Sequence, residues 1–441
     1  MGTEISTYPN ILYIHSHDTG RWIQPYGYPV ETPALQKLAE QGVVFRRAFS
    51  AAPTCSPSRA SLLTGQYPHS SGMLGLAHRG WSLNDYQQHI IHTLRKSGYH
   101  STLIGMQHVA SDPHMIGYDA IWETDDSSVA RVAPRASEFL LSPPQQPFFL
   151  SVGFTETHRP FAPVPVAAGK YCAPAPYLPD TPETRQDMAA FLHSVRTLDG
   201  GIGMILEALE RSGLADHTLV ICTTDHGIAF PAAKSTLTDR GTGVMLIMRG
   251  PGGFSGGLVV DALISQLDIF PTICEVARVE LPQWLQGRSL LPLLQSSTAE
   301  IHDAVFAEVT FHAAYEPQRS IRTNRYRYIR HFAEQQQQRG PVLANCDDSL
   351  SKDIWLAHGW QERPQPVEEL YDLVFDPGEQ RNLVADPDAA SVLTDLRTRL
   401  TQWMMESHDP LLQGDVVPRP GAMLNDPTQL SPGDPAHRIG E

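Results

Sequence analysis

Long apolar runs, a disulfide framework and an excess of basic residues are all missing from this chain of 441 residues. No stretch of about 18 apolar residues occurs, so we expect no membrane-spanning helix. The first ten residues, MGTEISTYPN, lack the basic and apolar segments of a signal peptide, which favours a cytoplasmic location. Five cysteines, an odd number at irregular spacing, do not indicate a disulfide-stabilised secreted domain.

Basic residues are outnumbered, since 33 Lys and Arg stand against 48 Asp and Glu, which gives a formal net charge of −15. Such a surface repels nucleic-acid phosphates and anionic lipid, so neither a nucleic acid nor a membrane is an expected partner. A local basic pocket for a small anion is still compatible with this charge. Hydrophobic residues make up 41% of the chain, enough for a sizeable core at this length.

Apolar runs that alternate with helical patterns predict an α/β fold, with a large, mostly parallel sheet sandwiched by helices. Three of these runs end in polar clusters: 11–14 before His17 and Asp18, 147–154 before Thr155 to His158, and 218–224 before Asp225 and His226. Because ligands bind at the carboxyl ends of the strands in such sheets, we expect the three clusters to form one site.

The pattern changes after residue 300, where further strands and a helix follow one another. Predicted elements along the chain include single strands over 43–49, 304–311 and 320–332, and helices over 187–211 and 389–405. We therefore expect a catalytic domain over 1–300, an α+β subdomain with an antiparallel sheet over 301–413, and an extended tail over 414–441. The tail is rich in Pro and Asp and suits contact with a neighbouring subunit, so we expect a homo-oligomer.

The segment CSPSRASLLTG, residues 55–65, places a cysteine at the start of a predicted helix. A helix N-terminus favours a nucleophile and an anion, because free backbone N–H groups and the positive end of the dipole lie there. Arg59 lies one helical turn further on and can reach back toward Cys55. The alternative reading of these residues is a buried cysteine in a proline-containing turn.

This segment resembles the signature of the type I sulfatases, in the alkaline-phosphatase-like superfamily. The segments ILYIHSHDTG, GVVFRRAF, PFFLSVGFTETHRPF and TTDHGIAFPAAKSTLTDRG stand around it in the order of that family. ELYDLVFDPGEQRNL and WMMESHDP resemble the C-terminal subdomain, with the sulfamidase-like members the most similar within the family. The resemblance extends over most of the chain, to about residue 410, and implies the same fold that the periodicity predicts.

The resemblance also implies a role for each candidate residue. Cys55 is the nucleophile position, converted to formylglycine by a formylglycine-generating enzyme, and Arg59 holds it. His108 helps to expel sulfate, His158 binds the sulfuryl group, and Lys234 contacts the sulfate and the leaving group. One divalent metal ion is implied, with the ligands His17, Asp18, Cys55, Asp225 and His226.

Three positions depart from the family pattern. Met106 stands where a lysine usually adds positive charge at the sulfate. His17 replaces an Asp, and His226 stands where many sulfatases have Asn and phosphonate monoester hydrolases have His. Calcium, the usual ion of the family, prefers oxygen ligands, whereas imidazole suits Mn or Zn, so the metal stays open. For His17 a packed side chain is the alternative to a ligand, and we expect His15 to be packed or to lie behind the ligands.

The resemblance implies a hydrolase that cleaves a sulfate monoester or sulfamate of a small anionic substrate and releases inorganic sulfate. Hydrated formylglycine would attack the sulfur, and His108 would deprotonate its second hydroxyl so that sulfate is expelled. The alternative on the same scaffold is a phosphodiesterase or phosphonate monoester hydrolase, which Asp225-His226 favours. A non-catalytic binding relative is a third hypothesis, and the intact signature and ligand set argue against it.

Overall fold

A large mixed sheet forms the centre of the protein. The computed structural model describes residues 8–143, 147–296, 298–333 and 340–440. Up to residue 300, the strands of this part of the chain are β1 Asn10–Ser16, β2 Val43–Phe45, β3 Ala48–Phe49, β4 His100–Gly105, β5 Ala120–Trp122, β6 Phe148–Gly153, β7 Thr218–Thr224, β8 Leu246–Arg249, β9 Leu258–Val260 and β10 Ile264–Ser265. Eight of these strands form one sheet in the order β5-β4-β6-β1-β7-β8-β2-β9. Strand β8 runs antiparallel to β7 and β2, and the other pairings are parallel, so the predicted mostly parallel sheet is confirmed.

Helices cover both faces of this sheet. The helices of the described chain are α1 Pro33–Gln41, α2 Cys55–Thr64, α3 Pro68–Ser71, α4 Ile90–Arg95, α5 Val129–Leu141, α6 Val166–Gly169, α7 Pro182–Arg211, α8 Asp239–Thr242, α9 Ile269–Val276, α10 Leu350–Ala357 and α11 Ala390–Glu406. Leu12 and Ile14 of β1 share a core with α1, α5 and α7, whereas Ile11 and Tyr13 share a core with α2, α4 and α9. This alternation is what a strand buried on both faces requires. Within the described residues, no helix has the length and apolar composition to cross a membrane.

The C-terminal part of the chain adds a second, antiparallel sheet. Its strands are β11 Ala304–Phe311, β12 Tyr315–Thr323, β13 Tyr326–His331 and β14 Glu368–Asp372, which pair in chain order. Helix α11 covers this sheet with an apolar face that packs on Ile321 and Tyr328, formed by Leu393, Leu396, Leu400, Trp403 and Met404. The predicted α+β architecture of this region is therefore confirmed.

Three element predictions need correction. The single strand expected over 43–49 is two strands in different sheets, since β2 lies between β8 and β9 whereas β3 pairs with β10. The single strand expected over 320–332 is part of a hairpin, whose turn is closed by a hydrogen bond from Tyr326 N to the Thr323 hydroxyl, 2.9 Å. The long helix α7 begins five residues before its predicted start, because Thr181 caps it in a capping box with Thr184.

The C-terminal tail does not extend away from the molecule. Strands β15 Met423–Leu424 and β16 His437–Arg438 pair with each other. Ala422 and Leu424 enter the same core as α2 and α9. Arg79 donates a hydrogen bond to Asn425 Oδ1 over 2.7 Å. The expectation of an extended arm is therefore wrong for the described residues, and the tail packs on its own chain.

A buried ion-pair network links strand β12 of the antiparallel sheet to helix α3, which belongs to the part of the chain before residue 300. The Arg319 guanidinium, on β12, is fully buried and binds Asp409 through two contacts, of 2.5 and 3.0 Å. Its Nε also lies 3.5 Å from Glu308, which binds the His69 ring and backbone. We expect Asp409→Ala to lower the free energy of unfolding by about 3–5 kcal/mol, because it removes both close contacts of a buried guanidinium and leaves only Glu308 among the described residues, at 3.5 Å, as its carboxylate partner. Denaturant unfolding followed by circular dichroism measures this.

Asp303→Ala is the matched control, because the Asp303–Arg399 pair has a similar distance, 2.7 Å, but an Asp303 side chain that is 86% exposed. Water already solvates that carboxylate, so its loss should leave stability nearly unchanged. Equal effects of the two substitutions would contradict a special role for the buried pair.

Candidate active site

The ends of two neighbouring strands bring the first four candidate residues together. Strands β1 and β7 are parallel, and Ser16 lies opposite Thr224 at their carboxyl ends. The next residues of the two strands, His17 with Asp18 and Asp225 with His226, therefore emerge side by side. The backbone N–H of Asp18 donates to Asp225 Oδ1 over 2.8 Å and fixes their relative position.

Helix α2 supplies the fifth residue. Cys55 is its first residue, after the extended Thr54, and its Sγ lies 3.5 Å from His226 Nε2. The hydroxyl of Ser58, one turn further, donates to the carbonyl of Asp225 over 2.5 Å and ties the helix to the end of β7. The predicted position of the cysteine at a helix N-terminus is confirmed. Burial raises the pKa of its thiol well above the usual value, although Lys234 acts in the opposite direction.

The five predicted ligand residues converge on one point. One ligand atom from each of them lies within 4.8 Å of the others, and all five residues are buried: His17, Asp18, Cys55, Asp225 and His226. His17 Nδ1 lies 2.8 Å from Asp18 Oδ1 and 3.2 Å from Asp225 Oδ2. His226 Nε2 lies 3.2 Å from Asp18 Oδ1. Bonds of about 2.0–2.2 Å to one ion place neighbouring ligand atoms about 3 Å apart, so this set of donor atoms fits a metal ion.

Two of the five residues, His17 and Asp225, are in the protonation states that metal binding needs. Burial lowers the pKa of His17 to about 4, even though Asp225 and Asp18 favour its cation, so the ring is neutral at pH 7. Burial opposes ionisation of Asp225, but Arg59 and the neighbouring imidazoles hold its pKa well below the usual range. His226 Nδ1 lies 3.0 Å from the Gly227 carbonyl, which assigns the proton to Nδ1 and leaves Nε2 free as an acceptor.

Arg59 contacts the ligands instead of the cysteine. Among the described residues its hydrogen bonds go to Asp225 Oδ2 at 3.0 Å, the Ser16 carbonyl at 2.8 Å and His15 Nδ1 at 2.5 Å. It therefore holds the carboxylate of Asp225, one of the predicted ligands, whereas the sequence suggested that it would hold Cys55. His15 is fully enclosed between Arg59, Ser151 and the ring of Tyr13, so its expected place behind the ligands is confirmed.

Lys234 lies deep in the same site, in contact with three groups. Its Nζ donates to Asp18 Oδ2 over 2.9 Å, and it lies 2.9 Å from Asp347 Oδ2 and 3.4 Å from His158 Nε2. The side chain is 2% exposed, so Lys234 is a buried cation and not a solvated lysine on a surface loop. Burial disfavours the ammonium, but Asp18 and Asp347 outweigh it and hold the pKa of Lys234 well above the usual value.

Two histidines line the open side of the site. The His158 side chain is 31% exposed, and its ring centre lies 4.4 Å from that of His17. The ring centre of His108 lies 6.0 Å from that of His17, and its Nε2 lies 2.9 Å from His78 Nδ1. Burial lowers the pKa of His108 well below its usual value, with His17 and His78 adding to the effect. The structure therefore places every predicted site residue around one centre.

Local backbone geometry is unusual at this centre. Asp18, His108 and Ser235 have φ angles of 54°, 57° and 64°, in the left-handed region that non-glycine residues rarely occupy. Each such conformation costs about 1–3 kcal/mol and persists when the surrounding structure fixes it, which is typical of functional sites. The packing around these three residues thus fixes unfavourable backbone conformations at the site.

Three residues of the site were not identified from the sequence: His78, His312 and Asp347. His78 contacts His108. His312 is buried, and burial lowers the pKa of its ring well below the usual value, with Lys234 adding to the effect and Asp347 opposing it. Asp347 follows a short 3-10 turn of the C-terminal region and pairs with Lys234. No motif marks any of them, because they lie in short segments between the longer elements, a 3-10 helix for His78 and loops for the other two, that only the folded chain brings to the site.

Comparison with solved structures gives the same fold. A protein in complex with its substrate D-glucosamine-2-N,6-O-disulfate has a TM-score of 0.74 at 19% identity, over 91% of this chain and 99% of that one. A phosphonate monoester hydrolase from Silicibacter pomeroyi has a TM-score of 0.67 at 22% identity, over 92% of this chain and 96% of that one. At this level of identity the likeness concerns the fold.

Comparison of sequences identifies the family. The family described as Sulfatase matches residues 9–279, and the one described as N-sulphoglucosamine sulphohydrolase, C-terminal, matches residues 233–340. The human N-sulphoglucosamine sulphohydrolase is 30% identical over 438 residues, which cover 86% of this chain and 86% of that protein. With these matches and the ligand cluster at the sheet edge, the chain belongs to the sulfatase family and is a sulfuric ester hydrolase.

Proposed function

We propose that this sulfatase hydrolyses the sulfamate or a sulfate monoester of a small sugar-like substrate and releases inorganic sulfate. The observation that carries the proposal is the charge around the ligand cluster. Three carboxylates, of Asp18, Asp225 and Asp347, face two cations, Arg59 and Lys234, in one contact network. One divalent ion changes this excess of one negative charge into one positive charge. That charge suits a monoanionic sulfuryl group, and the human relative named above suggests the sulfamate.

The metal would be held by His17, Asp18, Asp225 and His226, together with residue 55. Two imidazoles among the donors favour Mn or Zn over calcium, which prefers oxygen ligands. When bound, the ion polarises the sulfuryl oxygens, and formylglycine formed from Cys55 supplies the oxygen nucleophile. The arginine beside Asp225 keeps that ligand ionised and in place.

The remaining residues would bind the sulfuryl group and transfer protons. Lys234 and His158 lie on the same side of the cluster, 3.4 Å apart, where they can contact the sulfuryl oxygens and the leaving atom. His108, neutral and paired with His78, can accept the proton that must leave before sulfate is released. Met106 supplies no charge at its position, so Lys234 is the lysine that would contact the sulfuryl group.

Phosphonate monoesters and phosphate diesters are the second candidate substrates, because they are monoanions too. Their case rests on His226, which stands where phosphonate monoester hydrolases have His, and on the fold shared with such an enzyme. Phosphate monoesters are mostly dianions near neutral pH and need more positive charge than this site offers.

A parallel rate measurement distinguishes the two candidates. The purified metal-loaded enzyme is assayed on glucosamine N-sulfate, 4-nitrophenyl sulfate, bis(4-nitrophenyl) phosphate and a 4-nitrophenyl phosphonate monoester. We expect the highest kcat/KM on one of the two sulfur substrates. A higher kcat/KM on either phosphorus substrate would make the second candidate the function.

Modification of Cys55 is a separate prediction. In protein produced together with a formylglycine-generating enzyme, the peptide that contains Cys55 should show the mass loss of thiol-to-aldehyde conversion, and kcat should rise with the converted fraction. The Cys222 and Cys274 peptides serve as internal controls, since both thiols are buried in apolar cores away from the site. Full activity in protein with unmodified Cys55 would contradict the prediction.

A cytoplasmic location and a homo-oligomeric state stay proposals, to be tested by fractionation and by light scattering.

A further inference from the structure

Asp347 brings the C-terminal region into the catalytic centre. Its carboxylate lies 2.9 Å from Lys234 Nζ, and its side chain is only 15% exposed. It belongs to the loop between a 3-10 turn, Leu343–Asn345, and helix α10, whereas Lys234 belongs to the catalytic domain. The contact therefore joins two parts of the chain that fold around separate sheets.

The loop that carries Asp347 is held at both ends. Lys352, almost fully buried, donates to the carbonyls of Leu343 and Cys346 over 3.1 and 2.6 Å and to Asp348 Oδ1 over 2.9 Å. Asn345 accepts a hydrogen bond from Ala314 N over 2.8 Å. A side chain on a loop fixed in this way keeps its position, which is what a group that orients another side chain requires.

A second set of contacts links this loop to His158. Ser351, in the first turn of α10, donates to Asp187 Oδ2 over 2.6 Å. Asp187 in turn binds the Arg159 guanidinium through two contacts, of 2.7 and 2.8 Å. Arg159 is the neighbour of His158 in sequence. The same helix thus supports the loop of Asp347 through Lys352 and the segment of His158 through Asp187 and Arg159.

The position of the Lys234 ammonium follows from these contacts. It carries three N–H donors and has three neighbours, Asp18 and Asp347 at 2.9 Å and His158 Nε2 at 3.4 Å. Asp18 accepts one N–H of the ammonium, and Asp347 holds the ammonium by an ion pair in which Oδ2 accepts no aligned hydrogen bond from the described residues. His158 lies on the remaining side of the ammonium. This side of the site is partly exposed, so a substrate must approach from there.

We propose that Asp347 is a positioning residue that holds the Lys234 ammonium so that its remaining N–H points at the leaving atom of the substrate. This inference rests on the proposed function, because it gives Lys234 a role in stabilising the charge on the departing oxygen or nitrogen. Without Asp347, the ammonium would turn toward Asp18, its remaining carboxylate, and its contact with the leaving atom would weaken. The C-terminal region is then required for catalysis as well as for stability.

Dependence of the rate on the leaving group tests this role. The Asp347→Asn enzyme is compared with the wild type on a series of aryl sulfates, from 4-nitrophenyl through phenyl to 4-methoxyphenyl sulfate. A nitrophenolate needs little stabilisation, so its kcat should change by less than about threefold. Poorer leaving groups need the ammonium, so kcat on phenyl and 4-methoxyphenyl sulfate should fall by about tenfold or more with KM nearly unchanged.

Asp353→Asn is the control, because Asp353 lies on α10 but is exposed and outside the site. It should leave the leaving-group dependence unchanged, and thermal unfolding and metal analysis of both variants verify that the fold and the ion are retained. An equal loss for all leaving groups, or no loss at all, would overturn the role of Asp347. A wild type that is inactive on every sulfate ester and sulfamate would instead overturn the proposed function itself.

Discussion

Asp225→Asn should remove the bound divalent metal and lower kcat by about 1,000-fold or more, the effect of losing several kcal/mol of electrostatic stabilisation. The two oxygens of the Asp225 carboxylate make different contacts. Oδ1 accepts hydrogen bonds from the backbone N–H groups of Asp18 and His226, at 2.8 and 3.0 Å. Oδ2 faces the ligand cluster, 3.2 Å from His17 Nδ1.

Asparagine at position 225 can replace Oδ1 as a hydrogen-bond acceptor, but it cannot replace Oδ2 as a metal ligand. Its oxygen would still accept from the two backbone N–H groups, so the strand ends should keep their places. Its NH2 group would then point at the metal position, where a donor repels a cation, and the charge that pairs with Arg59 would be gone. Elemental analysis of the purified variant, together with steady-state kinetics, measures both effects.

Asp216→Asn is the matched control for this variant, since Asp216 is exposed and lies just before the opposite end of β7. It should bind metal and turn over substrate as the wild type does. An Asp225→Asn enzyme with a full complement of metal would show that the ion is held elsewhere, and the ligand assignment would then be wrong.

Most of the catalytic centre could be predicted from the sequence because its residues follow strong local signals. His17, Asp18, Asp225 and His226 directly follow buried apolar strands, and parallel pairing of those strands is enough to bring the four side chains together. Cys55 lies in a signature that is continuous in sequence. In each case a short stretch of chain contains both the structural signal and the chemical group.

The contacts between these residues could not be predicted in the same way. Arg59 was expected to reach Cys55, one turn back along the helix, but its guanidinium crosses to Asp225 on β7. Asp347 lies more than a hundred residues from Lys234 in sequence, and its surroundings indicate only the start of a helix capped by Ser349. Contacts of this kind depend on how separate elements pack, which periodicity does not encode.

The errors in the fold have similar causes. Residues 43–49 and 320–332 contain enough β-branched and aromatic residues to read as single strands, and the breaks come from strand pairing and from a turn at Asn324 and Arg325. The tail was expected to be extended because it is rich in Pro and polar residues. Two of its apolar residues, Ala422 and Leu424, nevertheless enter the same core as helices α2 and α9.

Lys234→Ala should lower kcat by about 100-fold or more while KM changes little, in line with the loss of one preorganised charge contact. In the proposed reaction the ammonium stabilises charge that develops on the sulfuryl oxygens and the leaving atom, so we expect it to act more on the transition state than on the bound substrate. With Met106 at the position of the usual lysine, no second lysine at that position compensates. The wild type should also prefer monoanionic sulfate esters, sulfamates, phosphate diesters and phosphonate monoesters to phosphate monoesters.

Removal of Lys234 also leaves Asp18 and Asp347 without their shared cation, which could disturb the fold or the metal. A double variant, Lys234→Met with Asp347→Asn, avoids this because it replaces the cation and one carboxylate by uncharged groups of similar size. It should retain metal and still lose at least the same factor in kcat. Lys37→Ala, at a largely exposed lysine, should leave kcat unchanged. A change confined to KM, or a wild-type preference for phosphate monoesters, would contradict the role of Lys234 and favour a phosphatase-like reaction.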